Sequence, residues 1–529
     1  MGLSGATTTS FAHIPNNTKP QWWKDSGLRR NVLHCAGVCL CPFYLGYDQS
    51  LLAGLQAIPG WQTYFGRPTG TYLGIIAASI FLPALIVAFV ADYLCTAFGR
   101  KKIIYVGSLL IVIGGVFNAL SQSGGQFMGA RVIIGTGGAI TKVAAPALLQ
   151  EIAHPRYRGT IGTLYYSFYY FGSLTAASMC IAGLYIKSEW TWRLPCMIQI
   201  VGPFFVMALL ITAPESPRWL AKKGRHEEAR AVLVKHHANG DDEDPLVEWQ
   251  FGEMLSALQA EAKVGQASYM DFFKTPGNRK RLWINCLLGL ASNWVGNGII
   301  TYYLAPVLRT VGITAPDVIL SINVGYAAWN WMCSFIAGTN SERLGRRFLW
   351  LACNIGMAVS FGFVMALSGI FAQTGNSAVG IAVVPFLFVV HFFYDIGYIT
   401  MNYSYTVEIM SPSMRTKGLA LYIFFNNLGN AFNQFVNPIA LAALTWKYYA
   451  VYIAIDLFIA VIVYFYFPET AKMSIEEISM ILDYPLKDGR QRVLEVMEER
   501  RAAEQDELAR TKDMDEEGKL EVSHIEERK

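Results

Sequence analysis

Apolar residues along this chain gather into blocks of roughly 20 residues, first at 32–55, 72–93, 103–120, 127–148, 160–184 and 195–213. After a hydrophilic interval they resume at 282–304, 318–338, 348–370, 380–406, 417–444 and 447–467. A helix of that length rises about 30 Å, the thickness of a bilayer's hydrocarbon core. The pattern predicts an all-α membrane protein of twelve transmembrane helices, six in each of two bundles. Its divisions are a tail over 1–31, a first bundle over 32–213, a central loop over 214–281, a second bundle over 282–467 and a C-terminal tail over 468–529. In the loop, Glu227 and Glu228 precede Arg230, and Ala231, Leu233 and Val234 fall at helical spacing, which predicts short surface helices. Roughly every second residue of the final segment is charged, so it has nothing to bury and is expected to be disordered or a frayed helix.

Composition agrees: 53% of residues are hydrophobic, 16% charged, and the mean hydropathy is +0.32. Soluble domains average about 25% charged residues. A net charge of +4 leaves no basic excess that would argue for a nucleic acid partner. The nine cysteines, Cys35, Cys39 and Cys41 among them, mostly fall in or beside apolar runs and read as small hydrophobes instead of disulfides or metal ligands. The N-terminus has no apolar core followed by a cleavage site, so no removable signal is expected and insertion would begin with the first span. Cytoplasmic loops retain Lys and Arg. With both termini inside, the short inner connections hold fourteen such residues and the outer ones five, which sets the expected orientation.

The halves repeat a signature in register. Gly99-Arg100-Lys101 follows span 2 and Gly345-Arg346-Arg347 follows span 8; Glu151 and Arg158 flank the end of span 4, and Glu408 and Arg415 that of span 10; Pro214-Glu215-Ser216 and Pro468-Glu469-Thr470 follow spans 6 and 12. Basic loop residues can meet carboxylates at neighbouring helix ends only when the inner ends of a half are pressed together. Arg100, Glu151, Arg158, Glu342, Arg346, Glu408 and Arg415 are therefore expected to form a cytoplasmic latch.

With GYD (46–48), GRKK (99–102), R-x3-G-x-G (131–137), PESPRWL (214–220), ERLGRR (342–347) and PET (468–470), the chain resembles the sugar porter family of the major facilitator superfamily over about 30–482. WVGNGIITYYL (294–304), HFFYDIGY (391–398) and NPIALAALTWKYY (437–449) look like its fungal lactose permease and cellodextrin transporter branch. The hexose-type Gly-Pro-x-Pro-Trp of span 10 is absent. The resemblance implies two bundles rocking about a central site, a sugar as partner, a proton as coupling ion and no other cofactor.

Asp48 is an acid inside an apolar span, costly unless it has a purpose. It lies about 10 Å below the outer surface and Arg131 about 6 Å, so the two depths suit an ion pair. The resemblance assigns such a pair to proton coupling; the alternative is a permanently closed salt bridge in a facilitator. Lys142 follows Arg131 by eleven residues, nearly the same helix face at about 100° per residue. It either snorkels or faces the cavity, and the latter would favour an acidic substrate such as a sugar acid or quinate. Sugar hydroxyls ask for amides and aromatic rings. Span 7 offers Asn293, Asn297 and Tyr303, and span 11 a stripe of Asn426, Asn430, Asn433 and Asn437. The family's binding positions fall on Asn293, Asn323, Tyr403 and Asn426, with Tyr166 replacing its span-5 amide, Ser292 its first span-7 glutamine and Gly298 its later asparagine. These shorter groups suggest a larger cavity and hence a disaccharide such as lactose or cellobiose. Asp395 and His391, four apart in span 10, are placed to hydrogen-bond. The expectation is a monomeric, proton-coupled sugar importer of the plasma membrane. A facilitator, a carrier of a monosaccharide, polyol, quinate-like acid or secondary metabolite, and a non-transporting sensor remain open; no catalytic constellation for an enzyme is present.

Overall fold

The computed structural model describes residues 22–264, 268–410, 414–469 and 482, and within them helices and no strand. The first half holds span 1 (Ser26–Leu55), span 2 (Gly70–Ala78 and Ala84–Phe98), span 3 (Arg100–Leu120), span 4 (Gly124–Ile152), span 5 (Arg158–Leu184) and span 6 (Trp190–Ile198 and Val201–Leu210). The second holds span 7 (Pro276–Trp294 and Asn297–Thr310), span 8 (Pro316–Leu344), span 9 (Arg346–Thr374), span 10 (Ser377–Tyr394, a π-turn at Asp395–Ile399, then Thr400–Glu408), span 11 (Arg415–Leu444) and span 12 (Tyr449–Tyr466). Six stretches, from Arg100–Leu120 to Lys417–Tyr466, are long and apolar enough by themselves to cross a membrane. The others are broken or carry polar side chains. Span 7 starts six residues before its apolar block, because Thr275 caps the helix by accepting from the Asn278 amide and Pro276 suits the first turn.

The two halves pack alike. Span 1 lies along span 5 and span 7 along span 11; span 3 touches spans 4 and 6, and span 9 touches spans 10 and 12. The halves meet through span 2 with span 11 and span 5 with span 8, each the counterpart of the other. Large apolar side chains such as Phe204, Phe205, Ile211, Phe458 and Phe465 remain exposed on the outside, where lipid would cover them. All nine cysteines are unbridged, and eight are buried.

The repeated Gly-Arg signature has a common cause. Gly99 and Gly345 sit at φ 98° and 86°, in the left-handed region that side chains rarely adopt, and each opens the following helix. Glu215 accepts from the Arg100 and Lys101 amides at 3.1 Å, and Glu469 from the Arg346 and Arg347 amides at 2.8 and 3.1 Å. A carboxylate there satisfies orphan N–H groups and the positive end of the helix dipole. Arg100 pairs with Glu151 at 3.1 Å and Arg346 with Glu408 at 3.3 Å, so each half ties its own inner ends together. Two latch expectations change. Arg158 makes no ion pair among the described residues and only senses the charges of Glu253 and Glu151, because Arg100 has taken the latter. Glu215 and Glu469 belong to the arrangement although their motifs were not read that way. The side chains of Glu342 and Arg415 lie outside the described residues. Glu215→Ala is expected to cost about 1–2 kcal/mol and to lower the thermal midpoint in detergent by a few degrees; an unchanged midpoint would show the cap contributes nothing.

The central loop folds into Pro217–Lys222, His226–His237, Pro245–Val264 and Asp271–Lys274. It docks on the first half through His237 Nε2 and the Ile152 carbonyl, 3.0 Å apart, and through the His34–His236 and His154–His237 ring contacts. Burial, then neighbouring histidines and cations, hold His236 at about 4 and His154 at about 3. Both are neutral at pH 7. Their pKa values are depressed, so this packing is intact above the unfolded value near 6.5 and is lost as pH falls towards 4.

Candidate functional site

Asp48 sits in span 1 with 3% of its surface exposed, and neither carboxylate oxygen has a hydrogen-bond partner among the described residues. The expected ion pair with Arg131 is not formed. Arg131 Nε instead donates to the Ile76 carbonyl at 3.0 Å. The reason is the break in span 2: the helix stops at Ala78, so the Ile76 carbonyl, in its last turn, accepts from Ser79 Oγ at 2.7 Å and from the guanidinium.

Asp48 lines a cavity of ≈ 40 Å³ together with Gln49 of its own helix, Lys142 of span 4 and Asn427 of span 11. That volume admits about three waters and no sugar ring. Towards the outside the two halves are tied. Gln56 Nε2 donates to the Tyr302 carbonyl at 2.8 Å, Arg309 donates to the Gln56 carbonyl at 2.9 Å, and Gln49 Oε1 accepts from Tyr169 at 2.8 Å and Tyr302 at 3.3 Å. Gln49 and Gln56 were missed in the sequence, although a glutamine beside Asp48 and another at the end of the same span were visible as uncompensated amides.

The amides of spans 7 and 11 do meet. Asn293 Nδ2 donates to the Asn426 carbonyl at 2.9 Å, Asn426 Nδ2 to Ser292 Oγ at 2.7 Å, and Asn433 Nδ2 to the Asn293 carbonyl at 2.7 Å. The far end of the stripe is different, because Asn437 Oδ1 accepts from Tyr448 and Tyr452 inside its own bundle. The row is therefore largely helix-to-helix adhesive, each bond worth about 0.6–2 kcal/mol, with Asn293 and Asn426 at its central end. Gly298 opens no extra room either: a Cβ there would lie 2.3 Å from Asn433 Nδ2, so that amide already fills the space. The size argument for a disaccharide loses its support at that position. Tyr303 differs from the expectation of an open binding position: it is fully buried and its hydroxyl donates to the Gln434 carbonyl at 2.6 Å. Asn297 is buried beside the span-7 break with Oδ1 unpartnered among the described residues, and Asn323 lies against span 1 at Gly54. The side chains of Tyr166 and Tyr403 fall outside the described residues.

Asp395 and His391 do not bond to each other. The π-turn that begins at Asp395 swings it towards the other bundle, where Tyr170 donates to it at 2.6 Å, while His391 meets Tyr326 at 2.6 Å and Thr301 at 3.2 Å. Asp456 is buried in span 12 with neither oxygen bonded among the described residues; its position has no physical account. No cluster among the described residues could hold a metal ion.

Comparison with known proteins adds the family context. Residues 34–482 match the family described as "Sugar (and other) transporter". The sugar transporter STL1 of Saccharomyces cerevisiae is 29% identical over 476 residues, 84% of this chain and 80% of that protein. The MFS-type transporter oryC of Aspergillus oryzae is 29% identical over 445 residues, covering 82% and 81%. A high-affinity glucose transporter of Kluyveromyces lactis is 25% identical over 470 residues, covering 84% and 83%. Their descriptions do not single out the lactose and cellodextrin branch. Among solved structures, the partially occluded inward open xylose transporter XylE from E. coli superposes with a TM-score of 0.70 at 19% identity, over 84% of this chain and 100% of that one, a likeness of fold.

Proposed function

We propose, from the premise that the chain belongs to the sugar (and other) transporter family of the major facilitator superfamily, that it imports a monosaccharide-sized polyhydroxylated solute together with a proton. A multi-pass membrane transporter, and not an enzyme, is what that membership makes it; the plasma membrane, cytoplasmic termini and a monomer are part of the proposal. The observation that carries it is Asp48: a carboxyl group within a span, unbonded, on a cavity between the bundles. Ionised, it is drawn to Arg131 of span 4; protonated, it is neutral and releases that guanidinium, so proton binding and helix packing become linked. An Arg131 held by the Ile76 carbonyl suits the released state. Asn293 and Asn426, on spans 7 and 11, would exchange their bonds to the Asn426 carbonyl and to Ser292 Oγ for bonds to solute hydroxyls.

Uptake into liposomes carrying the purified chain tests the reading. An inward proton gradient should drive solute above equilibrium, and a protonophore should collapse the excess. Uptake that merely equilibrates and ignores the protonophore would make this a facilitator. Asn293→Ala is expected to raise the half-saturation concentration about tenfold, the loss of about 1.4 kcal/mol; an unaltered value removes Asn293 from the site.

A further inference from the structure

Lys142 is left over by the coupling scheme. It is part-buried on span 4, lines the cavity that Asp48 lines, and has no hydrogen bond or ion pair among the described residues. An unpaired ammonium within a span is costly, and such residues tend to mark what passes through. We propose that Lys142 receives the carboxylate of an acidic sugar or polyol, so that the substrates of this carrier include sugar acids; the inference rests on the solute-and-proton reading above.

The spacing supports a bridging ligand. Leu45 is level with Gly138, since a Cβ on Gly138 would lie 3.0 Å from Leu45 Cδ2. Spans 1 and 4 run in opposite directions, so Asp48 stands about 4.5 Å outward of that level and Lys142 about 6 Å inward. That separation of about 10 Å is too great for the two groups to form an ion pair, and neither Asp48 oxygen has a hydrogen-bond partner among the described residues. A six-carbon acid is long enough to span that separation once the helices part around it, its carboxylate at Lys142 and its hydroxyls at Gln49 and Asn427, both of which line the same cavity.

Charge then couples substrate to proton. The groups around Asp48 are Arg131 and Lys142 on span 4, Tyr47 on its own helix and Cys196 on span 6; the linings from spans 2 and 11 are apolar or amide. With Asp48 ionised, the three charged groups sum to one positive charge; with it protonated they sum to two. An anion at Lys142, about 10 Å from Asp48, should therefore bind roughly ten- to twentyfold tighter when Asp48 is protonated, at an effective dielectric near 20. By reciprocity the anion raises the proton affinity of Asp48 by the same factor. An acid anion and a proton entering together carry no net charge.

The test uses neutral and acidic partners of one skeleton as competitors of uptake by the full-length chain in liposomes: glucose with glucuronate, sorbitol with gluconate, lactitol with lactobionate. At least one acid should bind about tenfold tighter than its neutral partner near pH 5.5, with the advantage shrinking near pH 7.5. Its uptake should be indifferent to membrane potential, whereas uptake of a neutral solute with a proton is accelerated by a negative interior. Lys142→Met should cut the acid-to-neutral affinity ratio at least tenfold, and Lys142→Arg should retain it. Proton-driven uptake of neutral solutes with no acid favoured, or an equal loss for both partners in Lys142→Met, overturns the inference and leaves the symport reading standing. Preference for an acid through Lys142 with no response to the pH gradient does the reverse.

Discussion

Asp48→Asn is expected to abolish accumulation of solute against its gradient while exchange across the membrane persists. One charge moving through 100 mV yields about 2.3 kcal/mol, and one pH unit about 1.4 kcal/mol. Together they sustain a gradient of several hundredfold. Asparagine keeps the shape of the side chain but cannot take up a proton at neutral pH, so the inside-to-outside ratio should fall to about one, and no lesser change is compatible with Asp48 as the coupling group. The position favours so clean an outcome because neither carboxylate oxygen is bonded to another described residue. The substitution breaks no hydrogen bond, and folding should be spared. Concentrative uptake by the variant at the wild-type level would remove Asp48 from coupling.

Gly46→Ala, two residues away, is expected to damage the fold itself. A Cβ at Gly46 would stand 1.9 Å from the Tyr169 carbonyl oxygen and 2.7 Å from its carbon, and one at Gly172 would stand 1.9 Å from the Phe43 carbonyl oxygen. Spans 1 and 5 thus touch backbone to backbone at two neighbouring points, and backbone cannot step aside as a flexible side chain can. Overpacking of this kind costs more than about 3 kcal/mol. The yield of folded protein should drop sharply and its thermal midpoint by many degrees. Gly362→Ala is the control, since nothing lies within 4 Å of the added carbon there; its midpoint should hold or rise slightly. Equal behaviour of the two variants would mean that the close approach of spans 1 and 5 does not hold the first half together.

The twelve spans and the six-plus-six division could be read from the chain because each depends on local quantities, apolar length and loop charge. The site was read less well wherever a side chain's purpose depended on what faces it. The asparagine stripe of span 11 was correctly placed on one helix face, yet spacing cannot say that Tyr448 and Tyr452 wait opposite Asn437. Gly298 suggested empty space, and a neighbouring helix had filled it. Depth alone suggested an Asp48–Arg131 bond; the interruption of span 2, which supplies the guanidinium with a carbonyl instead, lies in residues 79–83 that hydropathy smooths over. Lys142 was the converse case, where the sequence posed the choice between lipid and cavity and the cavity lining decided it.

Simultaneous recording of pH outside and solute inside is the most direct trial of the central claim, that solute movement is bound to a proton taken up at Asp48. Adding a transported solute to weakly buffered liposomes bearing the wild-type chain should make the medium more alkaline, in step with solute entry and in fixed proportion to it. Solute entering at full rate while the external pH stays constant would contradict the account.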